Sequence, residues 1–267
     1  MTTLNNGILI QNKTGGIVAP FINDNTFFTV EETSSIFDPK VFYDKYAGRY
    51  YFIDLDRSGS ISNILLAVSQ TNDPTGAWNQ YRFQANVGET NIWFDYPMVG
   101  YNKDWIIIGG NMFTVSGGSF SKAKLFVINK SDVLAGSATT PTEINPTGST
   151  LSPAIVGDNT TNYIPLVCRW NSGNGTYKLF QITGSPASPV LSDIGFPSVG
   201  SANSWLFGSN ISNDGPKKDM TSQTNGLATN DSRMGQSLLK NGKLWVAHTA
   251  FLSNVISGAT IYRGTAQ

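Results

Sequence analysis

Asp38 and Asp95 are the residues on which chemistry could turn. Each sits in a similar run, Ile36-Phe37-Asp38-Pro39-Lys40-Val41-Phe42-Tyr43 and Trp93-Phe94-Asp95-Tyr96-Pro97-Met98-Val99-Gly100-Tyr101, and the two lie 57 residues apart. Glycoside hydrolysis needs two carboxyls flanking the bond, several ångströms apart, with one pKa raised. Glutamate is scarce, with only Glu31, Glu32, Glu89 and Glu143 in the chain. Glu89 and Glu143 fall in segments that connect strands, and Glu143 is the candidate acid beside Asp38 and Asp95. The competing reading is that strand-opening aspartates cap turns through backbone N–H groups.

Other residues could serve a ligand. Asp231-Ser232-Arg233 opens a later strand, and a guanidinium there would grip carboxylate or hydroxyl groups. His248 is the only histidine, which excludes metal sites built from several histidines. It is a candidate for the same ligand-binding mouth as Asp231 and Arg233. Trp93 and Trp205 lie outside the strongest strands and could stack on sugar rings, whereas other tryptophans are expected to fill the core. Asp54, Asp56 and Ser58 space oxygens at alternate positions before Gly59, like the start of a calcium loop. The twelfth position is Leu65 rather than glutamate, so only a partial calcium site is expected, against a plain hairpin turn. No Gly-rich phosphate loop or Gly-x-Ser-x-Gly elbow occurs.

These residues must be positioned by strands. Short apolar runs alternate with Gly, Asn, Asp and Pro clusters, and helical periodicity is confined to Lys130–Leu134. After each opening comes a polar turn and an apolar strand, Arg49-Tyr50-Tyr51-Phe52-Ile53 and Trp105-Ile106-Ile107-Ile108. A strand-and-turn unit repeating at this period indicates a β-propeller blade. The expected fold is therefore all-β: one propeller domain over residues 1–267, with four-stranded antiparallel blades and five blades the preferred count. Strands are expected at Lys40–Asp44, Arg49–Leu55, Asn63–Ser69 and Trp78–Phe83, then at Met98–Tyr101, Asp104–Gly109 and Lys124–Asn129. A third unit runs from Ala154 to about Ile194. Asn241-Gly242 marks a hairpin between Gln236–Leu239 and Lys243–Thr249. The pattern stops after Ile261-Tyr262-Arg263, which reads as an incomplete ring, with Ile8–Gln11 available to supply the missing edge.

Composition narrows the partners. Charged residues make up 13% of the chain and the formal net charge is zero, which argues against nucleic acid. No stretch has the length of a membrane span and no export signal is visible. A surface of hydroxyls and amides nevertheless reads as extracellular or cell-surface, so a trimmed or incomplete gene product is expected. Cys168 is the only cysteine and is expected to be a buried thiol.

The set of motifs is also familiar. Phe37-Asp38-Pro39 with Gly48-Arg49-Tyr50, Asp73-Pro74-Thr75-Gly76, Asp95-Tyr96-Pro97, Asn111-Met112-Phe113 and Asn241-Gly242-Lys243-Leu244-Trp245 resemble a family of secreted bacterial β-propellers, mostly uncharacterised. More distantly, Asp-Pro at an inner-strand opening is similar to the catalytic aspartate motif of five-bladed glycosidases of the arabinanase and β-xylosidase type. That resemblance implies Asp38 as general base and Asp95 as the residue tuning the acid. Three functions stand as expectations: a non-catalytic module binding carbohydrate or another surface ligand, a glycoside hydrolase, and a structural domain of a larger adhesin.

Overall fold

The computed structural model describes residues 1–29, 34–171, 176–197 and 231–248, and four two-residue strands at 214–215, 227–228, 255–256 and 259–260. The protein is all-β. At the N-terminus β1 (Thr2–Leu4), β2 (Gly7–Gln11) and β3 (Ile17–Ile22) form a small sheet, followed by the single helical turn α1 (Asp24–Phe28). Then come three four-stranded antiparallel meanders. The first is β4 (Ser35–Asp44), β5 (Arg49–Ser58), β6 (Ile61–Ser69) and β7 (Trp78–Gln84). The second is β8 (Ile92–Tyr101), β9 (Trp105–Thr114), β10 (Phe120–Asn129) and β11 (Thr142–Ile144), with helix α2 (Lys130–Ala135) before its last strand. β12 (Ser152–Val156), β13 (Ile164–Asn171), β14 (Thr176–Ser185) and β15 (Ser188–Gly195) make the third. Beyond them β16 (Asp214–Gly215) pairs with β17 (Leu227–Ala228), β18 (Ser237–Lys240) with β19 (Lys243–Trp245), and β20 (Val255–Ile256) with β21 (Ala259–Thr260).

Period-2 alternation explains how the meanders stack. Tyr51, Ile53 and Leu55 on β5 share one core with Phe94, Ile106 and Ile108 of the second meander. Trp105 and Ile107, on the opposite face of β9, pack with Leu125, Leu166 and Phe180 in a second core toward the third meander. The middle strands are covered on both faces, so they read as unbroken apolar runs rather than alternating ones. Each fully buried Ile, Leu or Phe contributes about 1.5–3 kcal/mol. On the far face of β5, Phe52 packs with Ile8 and Phe28, which ties the N-terminal sheet and α1 to the first meander.

The second and third meanders meet along a seam. β8 touches β12 in parallel at Tyr101–Ile155, and β12 runs parallel to β18 from Ala154–Ser237 to Val156–Leu239. Gly100 permits the approach: a Cβ there would lie 2.6 Å from the Ala154 carbonyl oxygen and from the Pro153 carbonyl carbon. At the other end of this sheet β11 and β15 lie against each other, so it curls into a nearly closed, barrel-like form.

Local signals account for the connections. In α2 the Asn129 side chain caps the Ser131 N–H, and Gly136 closes the helix at φ 72°. Asn241 and Gly242 turn the β18–β19 hairpin at φ 52° and 70°, as a two-residue hairpin loop requires. Three expectations need correction. The strand from Lys243 ends at Trp245 rather than Thr249. Residues Ile8–Gln11 pair with β1 and β3 and with no later strand among the described residues. Asp54, Asp56 and Ser58 lie along β5 rather than in a loop, so their alternate spacing is a strand period. The expected strand at Ile261-Tyr262-Arg263 lies outside the described residues.

Candidate functional site

Two β-bulges build the site. In the first meander Phe37 pairs with Leu55 and Lys40 with Ile53, so Asp38 and Pro39 together oppose Asp54. In the second, Asp95 pairs with Asn111 and Met98 with Gly109, so Tyr96 and Pro97 oppose Gly110. Asp38 and Tyr96 take the left-handed conformation, at φ 60° and 58°. That region is unfavourable for a residue with a Cβ, and the following proline restricts it further. Bulges of this kind re-aim side chains next to binding sites, and such backbone strain persists where the surroundings hold it. The backbone therefore matches Asp38 with Tyr96, one residue away from the Asp38–Asp95 alignment that residue types suggest.

Asp38 and Asp95 nevertheless meet. The Asp38 carboxylate lies close enough to the Asp95 carboxyl to act on its charge. Burial raises the Asp95 pKa above the usual carboxylate range and the Asp38 charge adds to it, while Arg233 opposes both. Arg233 is placed by three contacts. Its Nε donates to Asp231 Oδ2 at 2.8 Å, its backbone N–H to Asp231 Oδ1 at 2.9 Å, and its guanidinium lies 4.6 Å from the centre of the Tyr96 ring.

Arg233 opens into a cleft of about 310 Å³ lined by Asn111, Phe113, Phe120, Thr150 and Arg169. Asn111 and Thr150 lock each other: the Asn111 amide donates to the Thr150 hydroxyl at 2.8 Å and accepts from the Thr150 N–H at 2.8 Å. Thr150 holds this pose at φ 50°, and its own O–H remains able to donate. Aromatic rings continue the wall outward. Phe113 lies 6.2 Å from Phe120 and 6.0 Å from Trp93, and Trp93 lies 5.7 Å from Phe37. Phe120 is 47% exposed, so this row is open to a flat ligand. Arg57 covers Trp93 at 5.1 Å.

The structure thus brings Asp38, Asp95, Asp231 and Arg233 together, with Trp93 on the rim. His248 bonds to the Tyr177 hydroxyl at 2.9 Å, and Tyr177 stands across the ladder from Arg169, so it supports the cleft wall. Glu143 is elsewhere: it lies on β11, three strands from β8, and pairs with the buried Lys124 at 2.8 Å. Three strand spacings amount to about 14 Å, so Glu143 and the aspartates do not flank one bond. Glu89 is tied to Lys122 and Lys124, and Glu31 and Glu32 lie outside the described residues, as does Trp205. Asp56 is held by Arg82 and Asn63 at 2.5 Å, away from any calcium geometry with Asp54. Among the described residues no group of three or more acidic, histidine or cysteine side chains could hold a metal ion. None of their helices is long and apolar enough to cross a membrane. Cys168 is fully buried, with its thiol pushed up to about 11 by desolvation.

Sequence reasoning missed Arg169, Asn111, Thr150 and Tyr96 as parts of the site. Arg169 left a trace, a charge following the apolar run Leu166-Val167-Cys168 where a strand interior would take another apolar residue. Tyr96-Pro97 left another, a proline inside a strand, which marks a bulge. No known protein family and no curated protein sequence matches this chain.

Proposed function

We propose that the protein is an extracellular or cell-surface β-propeller module that binds carbohydrate in the Arg233 cleft without hydrolysing it. Three successive four-stranded meanders, stacked face to face, with the first strands of two of them side by side, support blades around an axis. The observation that carries the ligand class is the cleft itself. Exposed aromatic faces, a locked amide–hydroxyl pair and guanidinium groups converge there. Aromatic rings stack on the C–H faces of sugars, and fixed polar groups choose the orientation of their hydroxyls.

The paired aspartates favour a second reading, a glycoside hydrolase, because Asp95 is buried beside another carboxyl and shifted upward. The position of the described glutamates weighs against it: Glu89 and Glu143, which could supply the acid, are paired with Lys122 and Lys124 instead.

Calorimetric titration with a panel of soluble plant and bacterial oligosaccharides, together with a reducing-sugar assay, tests both. Binding without release of reducing ends is expected. Phe113→Ala should weaken it about tenfold, as the loss of one stacked ring does. Absence of binding across the panel, or unchanged affinity in Phe113→Ala, would overturn the proposal. Release of reducing ends that Asp38→Asn abolishes would put the hydrolase in its place.

A further inference from the structure

We infer that Asp24 and Asp54 hold one hard divalent cation, with calcium the best fit, between α1 and the first meander. Neither residue lines the Arg233 cleft, so this site does not depend on the carbohydrate reading. Both lie on the surfaces that α1 and β5 turn toward each other. Phe28 of α1 packs on Phe52 of β5 with ring centres 5.0 Å apart. Asp24 stands one turn before Phe28 on the same side of α1, and Asp54 two residues beyond Phe52 on the same face of β5. Four helical residues rise about 6 Å and two strand residues span about 7 Å. A packed Phe28–Phe52 pair can therefore bring the two carboxyls together, and the Asp24 charge does act on Asp54.

Burial makes the case for a cation. Asp24 is 1% exposed and Asp54 0%. Both Asp24 oxygens and Asp54 Oδ2 have no hydrogen-bond partner, and Asp54 Oδ1 accepts only from the Leu55 N–H. The nearest guanidinium along this face, Arg82, is committed to Asp56, which also accepts from Asn63. Three bare carboxyl oxygens beside the apolar cluster of Ile8, Phe28, Phe52 and Leu65 are an arrangement that a coordinated ion resolves, since buried charges are paired or bind metals. Two carboxylates match the charge of a divalent ion. Their oxygens are hard ligands, and calcium accepts them in irregular geometry, whereas magnesium demands an octahedron and holds its waters. Carbonyl groups or water would complete the shell. Metal ligands must be deprotonated, so calcium and protons compete for these oxygens. The cation-free protein is the form whose stability rests on the protons.

The test uses the whole chain, stripped of metal with EGTA and dialysed at about pH 7.5. Calorimetric titration of wild-type protein with calcium chloride is expected to show about one ion per chain. Calcium at a hundred times its dissociation constant should raise Tm by roughly 5–10 °C. Magnesium chloride at the same concentration should give less than about a quarter of that shift. Asp24→Asn and Asp54→Asn should each weaken calcium binding at least about tenfold, because each removes a charged ligand. Their metal-free Tm should stay at or above that of wild type, because each also removes a buried carboxyl that has no partner. A side chain with a purely structural role would lower it. The wild-type arm needs no variant: no calcium isotherm together with no calcium shift in Tm would overturn the site and leave protons alone to neutralise the pair. Unchanged calcium affinity in both variants would place the ion elsewhere and overturn the assignment as well.

Discussion

Raising the pH from about 5 to about 8 should weaken the folded protein by several kcal/mol, and Asp54→Asn should remove most of that dependence. Asp54 faces the Asp38-Pro39 bulge, is wholly buried, and accepts only the Leu55 N–H at 2.8 Å through one oxygen. Its other oxygen, and both oxygens of the equally buried Asp24, have no hydrogen-bond partner. Desolvation pushes Asp54 up to about 9, with the charges of Asp24, Asp38 and Asp56 adding to it, and Asp24 up to about 6. An unfolded aspartate titrates near 3.9. Above that value the unfolded chain releases protons that the folded protein keeps, so the folded state binds more protons and loses stability as pH rises. The slope approaches about 1.4 kcal/mol per pH unit for each group. The stabilisation is complete below about pH 4 and disappears as pH passes each folded value, first Asp24 and then Asp54. Urea unfolding midpoints at a series of pH values measure it. Asparagine preserves the shape of Asp54 and cannot ionise, so a slope in Asp54→Asn equal to wild type would show that this carboxyl is not the cause.

Gly100→Ala should destabilise the protein by about 3 kcal/mol and lower Tm by roughly 5–10 °C. The added Cβ would meet backbone on both counts, the Ala154 carbonyl oxygen and the Pro153 carbonyl group, at 2.6 to 2.7 Å. Backbone cannot swing aside as a side-chain tip can, so β8 and β12 must separate. The cleft spans this seam, with Asn111 on one side and Thr150 on the other, so the glycan binding proposed for it should weaken as Tm falls. Gly76→Ala is the control. Its Cβ would meet the Asp73 carbonyl oxygen at 3.5 Å, an ordinary contact, and its Tm should stay within about 2 °C of wild type. Equal melting of Gly100→Ala and wild type would show that the seam is looser than the described register.

The strands were legible because their apolar runs are long and their turns carry turn residues. Arg49–Leu55, Asn63–Ser69 and Trp78–Phe83 each fall inside an observed strand, and Lys130–Leu134 falls inside α2. Their ends were not. β4 and β8 begin before their prolines, at Ser35 and Ile92, because a bulge lets a strand carry a residue that cannot donate to the ladder. The site was legible in part. Asp38, Asp95, Asp231 and Arg233 converge, although the spacing of the two aspartates comes from a one-residue offset between the repeats rather than from equivalent positions. Glu143 failed as their partner because chain position says little about which edge of a sheet a residue will occupy. Asp24 left no signal at all: α1 is five residues long, and its burial depends on Phe28 packing against β5, a contact between distant parts of the chain.

The offset between the two bulges bears on how this surface can change. Both openings preserve the same backbone knuckle ahead of a proline, yet one mounts an acid on it and the other an aromatic ring. The two openings therefore share a bracket rather than a reactive group. The same left-handed knuckle thus carries two unlike side chains, each with its own partners. Positions 38 and 96 are accordingly where the two meanders differ in chemistry while sharing one backbone conformation.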